Sequence, residues 1–211
     1  MIGVIDYGMG NLGSVTNALA FLKASFCLVR HAEALTDCQT LIVPGVGAFG
    51  DCMENLSTRG LLAPIREWIE ADQPMLGICL GLQILGEGSA ESPDVRGLGI
   101  LPAQMEKFAP GPGRKVPQMG WNRVRRVPGR EQESLFRDIP DETYFYFVHS
   151  FYLPSAEGWA AGVSEYGPTY VSAVHRGRVA AVQFHPEKSQ RMGLRLLSNF
   201  LEESGESHAR I

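Results

Sequence analysis

The stretch Pro74-Met75-Leu76-Gly77-Ile78-Cys79-Leu80-Gly81-Leu82-Gln83 constrains the fold of this chain more than any other. A short apolar run ends at a cysteine with glycine two residues before it and two after, and a second apolar run of helical character follows. This is the sequence form of a nucleophile elbow, a sharp strand-to-helix turn. Small neighbours let the backbone fold tightly and leave the central side chain presented at the top of a sheet. A cysteine buried only for packing gains nothing from flanking residues without side chains. The first amides of the following helix point at whatever the cysteine attacks, favouring a thiolate and offering a donor to an oxyanion. Cys79 is therefore the candidate nucleophile.

The segments before the elbow set the rhythm of the fold. Ile2 to Ile5 reads as a buried strand and ends in the turn Asp6-Tyr7-Gly8-Met9-Gly10-Asn11, where Asn11 can cap a helix carrying Leu12, Val15, Leu19 and Leu22 on one face. Gly8, Gly10 and Gly13 match a dinucleotide fingerprint in letter, yet no strand ending in an acid follows near position 30, so no cofactor is expected there. Phe26 to Val29 and Thr40 to Val43 are further short strands, and the second runs into Pro44-Gly45-Val46-Gly47-Ala48-Phe49-Gly50. Three glycines after a buried strand bring the backbone itself close to something. The missing Gly-Lys-Ser/Thr rules out a Walker phosphate loop.

Asp51 to Ala71 is helical in two pieces broken near Gly60, Leu80 to Leu85 begins the elbow helix, and Gly86 to Gly99 reads as a charged loop. Strand and helix alternating in this way predict an α/β fold, flavodoxin-like and doubly wound, with a largely parallel central sheet and flanking helices. The second half changes character. Beyond the loop Ala109–Lys115, Val124, Val127, Tyr144 to Leu153, and a hairpin of Val171–His175 with Val179–Phe184 read as antiparallel strands added to the same sheet. A last amphipathic helix carries Met192, Leu196, Leu197, Phe200 and Leu201, with fraying expected from Ser204. No linker or repeat divides residues 1–211, which predicts one domain.

A net charge of −4 gives no footprint for nucleic acid or an anionic membrane, and no apolar run approaches the ~20 residues that span a bilayer. The N-terminus lacks a basic segment and carries Asp6 at its first apolar run, unlike a signal peptide. Cys27, Cys38, Cys52 and Cys79 show neither zinc spacing nor a disulfide framework, so a reducing cytoplasm is expected.

A nucleophilic cysteine needs a base and a group that orients the base. Of the five histidines, His31 and His208 lie in surface-like or terminal sequence and His175 precedes a turn, where it is expected to face solvent. His185 emerges from the buried run Val179–Phe184, is stiffened by Pro186, and has Glu187 two residues on. That carboxylate can fix its tautomer and stabilise the imidazolium. His149 sits among aromatics and reads as a packing residue whose backbone lines the site, not as the base.

Taken together, Pro44-Gly45-Val46-Gly47, Gly77-Ile78-Cys79-Leu80-Gly81-Leu82-Gln83 and Phe184-His185-Pro186-Glu187 resemble the class I (triad) glutamine amidotransferases over nearly the whole chain. The opening Asp6 to Leu12, Met119-Gly120-Trp121-Asn122, Tyr146 to Tyr152 and Gln183 to Ser189 resemble the glutaminase subunits of imidazole glycerol phosphate synthases in particular. Leu82-Gln83, where many relatives carry His-Gln, favours that branch over the anthranilate, GMP and CTP relatives.

The resemblance implies hydrolysis of glutamine to glutamate and ammonia through a Cys79 thioester, with His185 shuttling protons and Glu187 orienting it. It implies one oxyanion donor at the Leu80 amide and a second in the Val46–Gly47 region, which in the family reorients before it donates. Gly45, Gln83, His149, Ser150 and Phe151 would surround the substrate, and Met119, Trp121, Asn122, Tyr146 and Lys188 would face the partner or the ammonia path. The partner implied is a (β/α)8-barrel cyclase that makes imidazole glycerol phosphate and AICAR in histidine biosynthesis. No metal or organic cofactor is implied. A stand-alone cysteine hydrolase, a redox sensor using Cys79, or an amidotransferase with another acceptor are the competing readings.

Overall fold

The computed structural model describes residues 1–10, 12–130 and 134–209. Asn11, expected to cap the first helix, lies outside the described residues. The chain opens with β1 (Ile2–Ile5), α1 (Leu12–Phe21), β2 (Phe26–Val29) and β3 (Thr40–Gly45), with a 3-10 turn at Ala32–Asp37. The three strands are parallel, with β1 in the middle and Gly3 opposite both Cys27 and Leu41. The two helical pieces follow as α2 (Phe49–Thr58) and α3 (Leu62–Glu70), and the break between them is Gly60 at φ +67°. β4 (Met75–Cys79) then pairs in parallel with β3, placing Gly45 opposite Cys79, and turns into the short helix α4 (Leu80–Gln83). The helix expected through Leu85 thus keeps regular form only to Gln83.

The segment read as a loop at Gly86–Gly99 instead contains β5 (Gly88–Ser89) and β6 (Ser92–Arg96), followed by β7 (Gln104–Lys107). These strands are two to five residues long and carry Pro93 and Asp94, so backbone pairing rather than apolar alternation makes them. Beyond them come β8 (Gln118–Arg126), β9 (Thr143–His149), β10 (Phe151–Tyr152), β11 (Ala160–Glu165), β12 (Thr169–Arg176), β13 (Val179–Val182) and α5 (Gln190–Glu203).

Among the described residues nine strands form one sheet in the order β2-β1-β3-β4-β13-β12-β11-β8-β9, and β10-β7-β5-β6 form a smaller one. β13 joins β4 in parallel, and every pairing from β13 onward to β9 is antiparallel. The flavodoxin-like parallel core with an antiparallel extension is therefore as the sequence predicts. The interruption at Ser150 is also where the chain leaves the large sheet for the small one.

Both faces of β1, β3, β4 and β13 are covered, which is why they are apolar without alternation, while the edge strand β2 leaves Leu28 exposed. Leu41 and Val43 pack with α2 and α3 residues such as Leu56 and Ile65, whereas Ile42 and Leu76 pack with α1 and α5 residues such as Leu19 and Leu197. His175, expected to face solvent, is buried with Nε2 3.3 Å from the Glu203 carboxylate of α5. The strand alternates towards that helix, which a strand-end position in sequence does not reveal. Residues after Ser204 do not fray as far as Ala209: the Ala209 amide donates to the Leu22 carbonyl, and His208 Nε2 lies 2.9 Å from Ser198 Oγ. No helix among the described residues is long and apolar enough to cross a membrane.

Candidate active site

Cys79 ends β4 with φ 56° and ψ −101°. A non-glycine residue held in so sparsely populated a region costs roughly 1–3 kcal/mol and persists only where its surroundings dictate it. Those surroundings are the flanking glycines. A Cβ on Gly77 would stand 2.5 Å from the Gly81 carbonyl oxygen, and one on Gly81 would overlap the Val43 carbonyl oxygen of β3. Across the ladder, a Cβ on Gly45 would strike the Tyr7 hydroxyl and the Leu80 side chain. The elbow is as tight as its sequence implies, and the Cys79 side chain is turned to the carboxyl ends of the strands.

Strand pairing brings the histidine to it. β13 runs beside β4 with Val182 opposite Ile78, and His185 emerges three residues past Val182. Its Nδ1 lies 2.8 Å from Glu187 Oε1, and both side chains are only 2% exposed. Pro186 opens a 3-10 turn through Lys188, the Ser189 hydroxyl donates to the His185 carbonyl, and the His185 amide donates to Tyr146. The imidazole is therefore held from both sides. With Nδ1–H donating to the carboxylate, Nε2 is left buried with no partner of ordinary hydrogen-bond geometry. Burial alone would lower the proton affinity of the ring. The Cys79 sulfur, through charge and hydrogen bonding, and Glu187 outweigh burial and push the His185 pKa up to about 10.

Cys79 opens into a cavity of about 220 Å³. That is below the ~300 Å³ at which drug-sized pockets begin, a size for one small polar molecule. Leu80, Gln83, Val46 and Gly47 line one side, and Val148, His149, Ser150, Phe151 and Pro117 another. Gly47 has φ +110°, and its missing side chain leaves room for the Met9 methyl group. Gly10, at φ +116°, would bring a Cβ to 3.8 Å from the Gly45 Cα, so the first turn of the chain braces the glycine loop.

Two residues not anticipated from the sequence belong to this site. Gln183 is fully buried, lies 3.6 Å from the Cys79 sulfur through its amide nitrogen, and accepts from Gln83 Nε2 at 3.1 Å. Glu91, from the turn between β5 and β6, lines the cavity and accepts the Phe49 amide at 2.7 Å. Gln183 stands two residues before the histidine, a signal that was available. Glu91 was hidden by the misread loop.

His149 behaves as a packing and lining residue. Its Nδ1 lies 2.7 Å from the Phe151 carbonyl oxygen, and its ring packs among Phe108, Phe147 and Tyr170. Burial pushes its pKa down to about 4, only partly opposed by the Phe151 hydrogen bond, and the nearby His185 lowers it further. It is neutral at physiological pH. Gln83 Nε2 donates to the same Phe151 carbonyl.

The interface candidates divide. Met119 and Trp121 are 65% and 46% exposed, and Tyr144, which the sequence does not single out, joins them at 53%. The β8–β9 register sets Met119 opposite Val148, Trp121 opposite Tyr146 and Arg123 opposite Tyr144, so these side chains share one face. Asn122 leaves that face. It alternates to the other side of β8 and donates to the Glu165 carbonyl. Lys188 is half-buried and follows Glu187 directly. No group of three or more His, Cys, Asp or Glu among the described residues is placed to hold a metal.

Residues 3–204 match the family model for glutamine amidotransferase class-I. The chain is 48% identical over 203 residues to the imidazole glycerol phosphate synthase subunit HisH of Moorella thermoacetica, covering 95% of this chain and 94% of that one. It is 41% identical over 210 residues to the subunit HisH of Helicobacter hepaticus, covering 95% and 97%. This chain belongs to the class-I glutamine amidotransferases, in the HisH family of imidazole glycerol phosphate synthase subunits. Solved structures agree on the fold. A glutamine amidotransferase crystal structure superposes with TM-score 0.74 at 23% identity, over 97% of this chain and 98% of that one. PurLQS from Thermotoga maritima gives 0.71 at 16% identity, over 95% and 97%. The branch read from Asp6–Leu12 and Leu82-Gln83 is thus the HisH branch, and the chain is an enzyme of histidine biosynthesis.

Proposed function

We propose that Cys79, His185 and Glu187 carry the glutaminase step of this HisH-family glutamine amidotransferase, and that the ammonia passes to a barrel cyclase partner. The observation that carries the reading is the buried Nδ1–carboxylate contact of 2.8 Å on a histidine whose ring also interacts with the strained, buried cysteine at the end of β4. The Cys79 thiolate attacks the side-chain carbonyl carbon of glutamine, and a tetrahedral oxyanion forms. The Leu80 amide donates to it, and the Val46–Gly47 loop supplies the second donor. Each such donor is worth about 3 kcal/mol in the transition state. His185 gives its Nε2 proton to the leaving nitrogen, the C–N bond breaks, and the thioester remains. Water then attacks the thioester, its proton passes to His185, and glutamate leaves with Cys79 restored. Glu187 holds the tautomer throughout.

The lining polar groups suit the other end of the substrate. Glu91 offers a carboxylate to an ammonium group, and Gln83, Ser150 and Phe151 surround the remainder, whereas Gly45 lies behind the cavity wall against Tyr7 and Leu80. Because β10 and the β5–β6 turn of the small sheet build one wall, residues 1–211 act as one glutaminase domain in this reading. The exposed Met119, Trp121 and Tyr144 face supports an obligate partner, since large contiguous apolar patches on a lone chain mark interaction sites. Tyr146 joins that face to the site: its ring meets Trp121 at 6.1 Å, and its carbonyl accepts the His185 amide. A sealed interface delivers neutral ammonia, the nucleophilic form, rather than ammonium. Four free thiols support a reducing cytoplasm as the setting.

The test is synthesis by the complex with the barrel cyclase. Cys79→Ala should abolish the glutamine-dependent reaction and leave the ammonia-dependent one intact. Loss of both would show that assembly, not the glutaminase step, had been hit.

A further inference from the structure

The Cys27 and Cys38 sulfurs lie 3.9 Å apart, at the opposite end of the sheet from the catalytic cysteine. Cys27 is the second residue of β2, Cys38 leads into β3, and β1 runs between them with Gly3 opposite Cys27. A Cβ on Gly3 would come within 2.7 Å of the Cys38 sulfur, so the missing side chain is what lets the two thiols meet across the strand. The pair is asymmetric. Cys27 is half-buried on an edge strand, whereas Cys38 is buried and its thiol donates to the Ala34 carbonyl at 3.3 Å. Burial and the neighbouring Cys27 push the Cys38 thiol up to about 12, which keeps it protonated until its neighbour reacts.

We propose that Cys27 and Cys38 form a peroxide-responsive dithiol, oxidised reversibly to an intrachain disulfide. The Cys27 thiolate attacks one oxygen of a hydroperoxide, the O–O bond breaks, and the leaving oxygen takes a proton to become water or alcohol. The Cys27 sulfenic acid is then attacked by Cys38. The S–S bond forms, the S–OH bond breaks, and hydroxide leaves as a second water with the Cys38 proton. The two thiols give up two electrons and the peroxide accepts them. A disulfide needs about 2.05 Å between the sulfurs, so the thiols must close in from 3.9 Å across β1. Cys52, on α2 inside the core, takes no part.

The test uses the full chain with Cys79→Ser, which leaves Cys27, Cys38 and Cys52, treated with hydrogen peroxide and then alkylated. The expected result is a product about 2 Da lighter before alkylation that takes up one label instead of three. Trypsin, which cuts at Arg30 between the two cysteines, should leave peptides 24–30 and 31–59 joined with the single label on Cys52, and a thiol reductant should separate them. Cys27→Ser should remove the cross-link without changing the circular-dichroism spectrum. The same cross-link should then form in the chain with Cys79 present. Oxidation of Cys27 to sulfinic acid without a cross-link, a link to Cys52, or a dimer through Cys27 would each overturn the proposal.

Discussion

The carboxyl ends of the parallel strands and the outer face of β8 and β9 are built on opposite terms. At the first, backbone touches backbone: Gly81 leaves no room for a side chain above Val43, and Cys79 is held at φ 56° with His185 and Glu187 sealed beside it. At the second, Met119, Trp121 and Tyr144 stand largely in solvent, with the Arg123 guanidinium over the Tyr144 ring and Trp121 edge-on to Tyr146. The first region is packed within one chain and the second is open to solvent. In the proposed function, chemistry and partner recognition fall on these separate surfaces, joined where Tyr146 holds the His185 amide.

That contrast can be broken by substitution. Cys79→Ala should lower glutamine turnover by about 10⁴-fold or more while leaving the fold intact by circular dichroism. Glu187→Gln should cost about 10³-fold in kcat with the fold intact, since the amide leaves His185 in the wrong tautomer. Steady-state glutaminase assays with the partner present read both. Gly81→Ala should destabilise the chain by more than ~3 kcal/mol in urea unfolding, because the Val43 backbone, paired within β3, cannot retreat. At the outer face the pattern inverts. Trp121→Ala should leave urea unfolding within about 0.5 kcal/mol of the parent chain and weaken cyclase binding roughly 10- to 100-fold by calorimetry.

A further effect is expected in the pH dependence of stability. His185 binds its proton more tightly when folded, so its contribution is full below pH 6.5 and is lost as pH rises towards about 10. His149 binds its proton less tightly when folded, so stability is lost as pH falls from 6.5 towards about 4. Cys79→Ala should flatten the alkaline limb and leave the acid limb in place. An alkaline limb unchanged in that variant would mean that the cysteine does not hold the His185 proton.

The parallel core and the elbow were legible because both are written in local sequence. Ile2–Ile5, Thr40–Val43 and Val179–Val182 are buried on both faces and so are apolar throughout, and an elbow must be flanked by glycine. His185 was legible through what precedes and follows it. What escaped was set by tertiary pairing: β5 and β6 have no apolar alternation, and Glu91 entered the site with them. His175 went unread for a similar reason, because only the packing of α5 supplies Glu203. Asn122 matched a motif in letter but follows the alternation of β8 to the face opposite Trp121.

The central claim is that Cys79 is the nucleophile and His185 its base. It is tested most directly by incubating the assembled chain and cyclase with a glutamine-shaped electrophile and locating the adduct by peptide mass. The account predicts one adduct, on Cys79, forming at least tenfold more slowly in His185→Asn. An adduct on Cys27, Cys38 or Cys52, or labelling of Cys79 at an unchanged rate without the imidazole, would contradict it.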